Sequence, residues 1–265
     1  MSIKLIALDL DGTLLNSDKL ISARTLAAIK SAQNKGVKVT IATGRMFSSA
    51  EFFGQEIQAN APLICCNGGL VQEMGKAEPL MVRYLASETV KKILTTCHEN
   101  NWYLNWYIGN DILAEEYKEE YYYAYRTTKN MKIKAVGNDF LSYTDKVVQC
   151  VARDLDGNIP VITQKLQELC GDSIVLQQNT GTSADITPPG VNKALGLSFL
   201  AESLGLTPAE VMACGDADND LSMLKYAGTA VVPANGLDIA KKLATFHAEA
   251  NDDDGIAKAI EELVL

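Results

Sequence analysis

The stretch Ile3-Lys4-Leu5-Ile6-Ala7-Leu8-Asp9-Leu10-Asp11-Gly12-Thr13 decides the fold. An apolar run ends in two aspartates one residue apart, followed by Gly-Thr. A run of this length closed by a turn signal reads as a buried strand, although periodicity alone leaves a helix open. Residues i and i+2 of a strand share a face, so Asp9 and Asp11 start out together at its carboxyl end. Gly12 lets the backbone turn sharply. Two adjacent carboxylates repel and are costly to desolvate without a positive partner. A hard, oxygen-seeking cation such as Mg2+ suits them. The same tetrapeptide also serves as a plain polar turn. Asp154-Leu155-Asp156-Gly157 repeats it, followed by Asn158-Ile159-Pro160 in place of Thr-Leu-Leu. That copy reads as a turn, and the first copy depends on support from distant residues.

Composition narrows the classes. A chain of 265 residues holds one large or two modest domains. A net charge of -9 argues against nucleic acid as a partner, because phosphate neutralisation needs clustered Lys and Arg. No apolar run approaches membrane-spanning length, so no membrane partner is expected. The first apolar run is short, carries Lys4 and ends in carboxylates, unlike a signal peptide. The six cysteines form no Cys-x-x-Cys pair, and Cys65, Cys66, Cys150 and Cys214 sit in strand-like runs. They read as free, buried thiols of a cytoplasmic, reducing compartment. The two histidines, His98 and His247, are too few for a His/Cys zinc site or a Ser-His-Asp triad. Both are expected on the surfaces of helices.

Strand and helix alternate through the first part. Ser22 caps a helix reaching about Lys35, and Gly36 ends it. Val37 to Ala42 is a strand running into Thr43-Gly44-Arg45. Pro62 to Cys66 is another, running into Asn67-Gly68-Gly69. Such alternation implies a parallel sheet with right-handed crossovers. The texture changes after Arg83. Ser87 opens a helix through Glu99, and Trp102 to Glu115 reads as a hairpin around Gly109-Asn110-Asp111. Both tryptophans and nine of the ten tyrosines lie between Tyr84 and Tyr143, which reads as core packing of a separate α+β domain. Ser173 to Asn179 and Ser183 to Thr187 are further strands. The first texture returns after Pro188-Pro189-Gly190: helix Lys193 to Leu204, strand Glu210 to Cys214 running into Gly215-Asp216, strand Ala230 to Val232, helix Gly255 to Leu263. The expected fold is therefore α/β. A Rossmann-like parallel-sheet core is built from residues 1–83 and 187–265, and an α+β domain, residues 84–186, is inserted.

Four polar clusters follow expected strands or open expected helices: Asp9 to Thr13, Thr43-Gly44-Arg45, Lys193, and Gly215-Asp216-Ala217-Asp218-Asn219-Asp220. In open α/β sheets ligands bind outside the carboxyl ends of the strands, which gathers these clusters on one rim. A hydroxyl, an ammonium, glycine turns and several carboxylates suit a phosphoryl group with its metal, and a helix N-terminus adds to them. Singly, each has a plainer reading. Thr43-Gly44 is also a loop, Lys193 a solvated lysine at a helix start, and the 215–220 run an acidic helix N-terminus. Asp252-Asp253-Asp254-Gly255 reads as the last of these. The conjunction, in order and within one frame, overrides the separate readings.

This conjunction resembles the haloacid dehalogenase-like hydrolase superfamily, specifically its Cof-type phosphatases, over essentially the whole chain. Asp9 to Thr13, Ala42 to Arg45, Gly190 to Lys193 and Gly215 to Asp220 correspond to its four motifs in order. Asn67-Gly68-Gly69 and Ala234-Asn235-Gly236 stand where the group often has Asn-Gly-Ala and Gly-Asn-Ala. The resemblance implies a mobile cap over Tyr84 to Ile186. It implies Asp9 as nucleophile and Asp11 as acid and then base. It implies Mg2+ held by Asp9, the main-chain carbonyl of Asp11, and Asp216. Phosphoryl oxygens would be held by the backbone N–H groups of Leu10, Thr43, Gly44, Lys193 and Asn219, with Asp220 orienting metal-bound water or Lys193. A carboxylate two residues after the nucleophile suits an alcohol leaving group, whereas a released halide needs no proton. The expected activity is Mg2+-dependent hydrolysis of a small phosphorylated metabolite, such as a sugar phosphate or phosphorylated cofactor. A phosphomutase and a non-catalytic phospho-ligand sensor are the alternatives. Specificity is expected in the cap, with Trp102, Trp106 and the Tyr117–Tyr125 stretch as candidates. Oligomeric state is left open by the sequence.

Overall fold

The computed structural model describes residues 2–122 and 133–265. It divides into two compact units, Met1–Met81 with Asn192–Leu265, and Val82–Val191. The first unit begins with β1 (Leu5–Leu8), α1 (Ala23–Asn34), β2 (Lys38–Ile41) and α2 (Phe47–Glu56). The side chains of β1 are buried without exception, as expected for a central parallel strand covered on both faces. Removing each of Leu5, Ile6 and Leu8 from water contributes about 1.5–3 kcal/mol. The Ser22 side chain accepts the Thr25 N–H, a cap worth about 1 kcal/mol, and Gly36 follows α1 at φ 87°. Next come β3 (Leu63–Cys65), β4 (Leu70–Gln72) and β5 (Met81–Val82), a small sheet in that order whose β3–β4 pair is antiparallel and which lies beside β2 through the Ala42–Ile64 bridge.

The second unit contains α3 (Ser87–Glu99), β6 (Tyr103–Ile108), β7 (Asp111–Ala114), α4 (Glu119–Tyr122), β8 (Ile133–Ala135), β9 (Val147–Arg153), α5 (Ile159–Cys170), β10 (Val175–Thr180) and β11 (Ser183–Thr187). Its six strands run in the order β10-β11-β9-β6-β7-β8, antiparallel except for the β7–β8 pair. One apolar core joins Ile93 and Cys97 of α3, Ile162 and Leu166 of α5, and Leu104, Trp106, Cys150 and Ile186 of the strands. The alternate positions carry Tyr103, Asn105, Tyr107, Gln149, Val151, Arg153, Ser183 and Asp185, a second face that is polar except at Val151. The aromatic cluster is thus shared between faces: Trp106 belongs to the core, Tyr103 and Tyr107 to the polar side. Tyr123 and Tyr125, among the specificity candidates, lie outside the described residues.

The chain re-enters the first unit with α6 (Lys193–Ser203), β12 (Val211–Cys214), α7 (Leu221–Tyr226), β13 (Thr229–Pro233), α8 (Asp238–Lys241), β14 (Phe246–Ala248) and α9 (Gly255–Leu263). Its main sheet is parallel throughout, in the order β14-β13-β12-β1-β2. Strand β1 sits between β2 and β12, so successive crossovers leave it in opposite directions. That is a topological switch point, where a crevice opens at the strand ends. The expected α/β class with an inserted α+β part matches this architecture. One reading is corrected: His247 lies on the short strand β14, while His98 lies on α3 as expected. Three residues are too few to show a strand period. All six cysteines are buried.

Candidate active site

Three adjacent strands place the site. Beyond β1 the Asp9 N–H still bonds to the Cys214 carbonyl of β12 (3.0 Å) and the Ala42 N–H to the Leu8 carbonyl (2.8 Å), so the sheet orders the chain up to the motif residues. The turn then closes through Leu14 N–H to the Asp9 carbonyl (3.2 Å) and Leu15 N–H to the Leu10 carbonyl (2.9 Å). Gly12 adopts φ 81°, and a Cβ there would lie 2.5 Å from Asp216 Oδ2. Only glycine lets that carboxylate approach. Thr13 Oγ1 donates to Asp216 Oδ1 (2.7 Å), and Asn235 Nδ2 donates to the Gly12 carbonyl (2.7 Å).

Lys193, the first residue of α6, is wholly buried and donates to Asp9 Oδ1 (2.5 Å) and Asp220 Oδ1 (2.6 Å). The solvated-lysine reading is thereby excluded. Asp220 Oδ2 accepts the Asp216 and Ala217 N–H groups (2.9 and 3.0 Å), so Asp220 ties the Asp216 loop to Lys193. Burial alone would discharge Lys193, but the charges of Asp220 and Asp9 outweigh it and hold the ammonium well above its usual range. Asp9 is pushed upward by burial. Lys193 opposes that shift, while the charges of Asp220 and Asp216 add to it. Asp216 is pushed up to about 6, mainly by burial. Carboxylate oxygens of Asp9, Asp216 and Asp220 lie within 4.8 Å of one another. One ammonium does not balance three carboxylates, and all-oxygen donors suit a hard divalent cation. These residues fit a metal.

Asp11 is placed differently. Its side chain is 44% exposed and outside that cluster. Arg45 grips it in a fork, Nε to Oδ2 and Nη2 to Oδ1, both 2.8 Å, and Lys19 Nζ lies 2.9 Å from Oδ1. Burial raises its pKa, but the Arg45 hydrogen bonds and charge, then those of Lys19, hold it well below the usual carboxylate range. The structure corrects one assignment: the Thr43 N–H is committed to the Ile64 carbonyl (2.9 Å), which leaves its hydroxyl as the group able to donate. That hydroxyl oxygen accepts the Arg45 N–H (3.2 Å). Leu10 is fully buried and Gly44 follows Thr43 in the same turn. Asn219 Nδ2 donates to Asn67 Oδ1 (3.2 Å), drawing the Asn67-Gly68-Gly69 turn to the site. Sequence reasoning placed Thr13, Arg45 and Asn67 within its motifs without giving them a role, and it missed Lys19. The roles of Arg45 and Thr13, both inside the motifs, were findable; Lys19 carried no signal. The repeat at Asp154 is a turn. Its Oδ1 accepts the N–H groups of Asp156 (2.9 Å) and Asn158 (2.7 Å), which occupies the carboxylate locally.

Residues 6–260 match the family model of the haloacid dehalogenase-like hydrolases. Two curated relatives from Bacillus subtilis are 5-amino-6-(5-phospho-D-ribitylamino)uracil phosphatases. YcsE is 30% identical over all of this chain and 97% of its own. YitU is 29% identical over 97% of this chain and 96% of its own. A haloacid dehalogenase-like hydrolase from Bacteroides thetaiotaomicron of known crystal structure is 32% identical. It superposes with a TM-score of 0.90 over 98% of this chain and 99% of that one. With a buried Lys193 bridging Asp9 and Asp220 at the switch point of a parallel sheet, and a family match spanning nearly the full length, the chain belongs to the haloacid dehalogenase-like hydrolases.

Proposed function

We propose that this protein is a Mg2+-dependent phosphatase that hydrolyses small phosphate monoesters through an aspartyl-phosphate on Asp9. The observation that carries the reading is the buried Lys193 held against Asp9, a fixed positive charge beside a carboxylate at a strand terminus. In the first step an Asp9 oxygen bonds to phosphorus while the ester P–O bond breaks, and the leaving alkoxide takes a proton from the Asp11 carboxyl. In the second, the Asp11 carboxylate accepts a proton from water as that water attacks phosphorus, releasing phosphate and restoring Asp9. The carboxylate form held by Arg45 serves the second step; the first requires the fork to open. Asp9, Asp216 and the Asp11 main-chain carbonyl would hold Mg2+, which supplies charge neutralisation for the phosphoryl oxygens when bound. Lys193, the Thr43 hydroxyl and the turn amides of Leu10, Gly44 and Asn219 position those oxygens, and positioning with charge stabilisation is most of the catalysis in phosphoryl transfer. The relatives named for a phosphoribitylaminouracil support a small phosphorylated metabolite as substrate. The test is phosphate release from a panel of small monoesters, with Mg2+ and with EDTA, for wild type beside Asp9→Asn. Metal-dependent release lost in the variant is expected. Full activity in Asp9→Asn contradicts the reading, and isomerised sugar phosphate without free phosphate makes the enzyme a mutase.

A further inference from the structure

The loop of residues 234–237, between β13 and α8, touches both pieces of chain on which the metal reading relies: the turn after β1 and the loop after β12. On one side the Leu237 N–H donates to the Asp216 carbonyl (2.8 Å). A Cβ at Gly236 would lie 2.8 Å from Val232 Cγ1 and 3.3 Å from Asp216 Cα, so glycine lets the loop lie close on the Asp216 main chain. On the other side Asn235 Nδ2 donates to the Gly12 carbonyl (2.7 Å), the next carbonyl after that of Asp11.

The Asn235 amide is fixed at both ends. Its Oδ1 accepts the Asn251 N–H (3.0 Å). A main-chain N–H only donates and a main-chain carbonyl only accepts, so these two partners decide which end of the amide faces Gly12. An ionised carboxylate in its place would set an acceptor against an acceptor. The turn after β1 is bound twice more by the same region. Asn251 Nδ2 donates to the Leu15 carbonyl (2.8 Å), and Asp252 accepts the Ser17 N–H and hydroxyl at 2.7 Å each. Asn235 is exposed, so these hydrogen bonds rather than core packing give its side chain a task.

We propose, resting on the metal reading above, that Asn235 is a positioning residue for Mg2+. Its amide, oriented by the Asn251 main chain, fixes where the Asp11 carbonyl stands relative to Asp216. Hydrogen bonds that orient metal-holding groups typically govern about 10–100-fold in metal affinity.

The test is Mg2+ binding to the full chain, read by calorimetry and by the rise of melting temperature with Mg2+ concentration. Mg2+ half-saturation and kcat are measured beside it with p-nitrophenyl phosphate. Asn235→Asp removes the donor and adds a negative charge. Charge alone would tighten Mg2+, whereas lost positioning weakens it. Binding at least about tenfold weaker is expected. Asn235→Ala removes the donor without adding charge, is expected to lose affinity similarly, and keeps the test open if Asn235→Asp fails to fold. In both variants Mg2+ half-saturation is expected to move more than kcat at saturating Mg2+. Ser17→Ala cuts a bond on the same turn away from Gly12 and should leave Mg2+ affinity unchanged. Unchanged affinity in Asn235→Ala, unchanged or tighter binding in Asn235→Asp, or an equal loss in Ser17→Ala overturns the proposal and leaves the metal reading standing. A wild type that binds no Mg2+ overturns both.

Discussion

Lys193 occupies a place where an isolated charge is not tolerated, and it is retained because Asp9 and Asp220 meet it at 2.5 and 2.6 Å. Its removal leaves two buried carboxylates uncompensated, and breaking such a pair costs about 3–5 kcal/mol. Lys193→Met is therefore expected to lose that much stability in urea unfolding and to lose phosphate release. A stable but inactive variant would mean that the ion triad contributes little to folding. The sequence made the triad legible only as a conjunction. Lys193 alone looks like any lysine at a helix start, and its burial depends on the sheet bringing together residues 184 positions apart. Lys19 was illegible for a different reason: it reaches Asp11 because the 16–20 turn gives it φ 61°, a local conformation with no side-chain signature.

Among the elements, α6 and the turn after β3 are fitted to each other. Gly68 has φ 91°, and a Cβ there would lie 2.1 Å from the Asn192 carbonyl oxygen, next to Lys193. Gly36 has φ 87° with open space around its Cβ position. Gly36→Ala is expected to show only the left-handed penalty, about 1–2 kcal/mol. Gly68→Ala should lose more stability than that and reduce kcat as well, because α6 must shift. Equal losses in the two, with kcat unchanged, would show that the contact does not position Lys193. Another link joins the start of β1 to that of β12, where Lys4 Nζ meets Glu210 Oε1 at 2.6 Å. The Glu210 carboxyl is lowered from 4.5 to about 2 by Lys4, then by Thr207. A lowered carboxylate contributes stability above pH 4.5 that is lost as pH falls towards 2. Thermal melts across that window should fall less steeply in Glu210→Gln than in wild type. Identical slopes would remove the link from the acid response. Element existence was readable where a cap or a long apolar run marked it, as at Ser22. The three-residue strands β8 and β14 were not, because tertiary pairing rather than local pattern forms them.

At the scale of the molecule, the parallel sheet converts four separated sequence motifs into one crevice. The inserted unit carries a sheet with one apolar and one polar face. The core architecture was readable because three of the motifs follow strands, the fourth opens a helix, and the order of strands brings those ends together. The polar face of that sheet was not singled out, because the tyrosines on it read in the sequence as core packing. The proposed mechanism turns on Asp9 becoming phosphorylated. The most direct measurement uses Asp11→Asn with p-nitrophenyl phosphate and Mg2+, quenched in acid, digested and analysed by mass spectrometry. An aryl leaving group departs without a proton, while hydrolysis of the intermediate still needs the missing base. The expected result is a burst of p-nitrophenol and a phosphoryl group on the peptide carrying Asp9, absent when Asp9 is also changed to Asn. A phosphoryl group on another residue, or a burst with none on the protein, would contradict it.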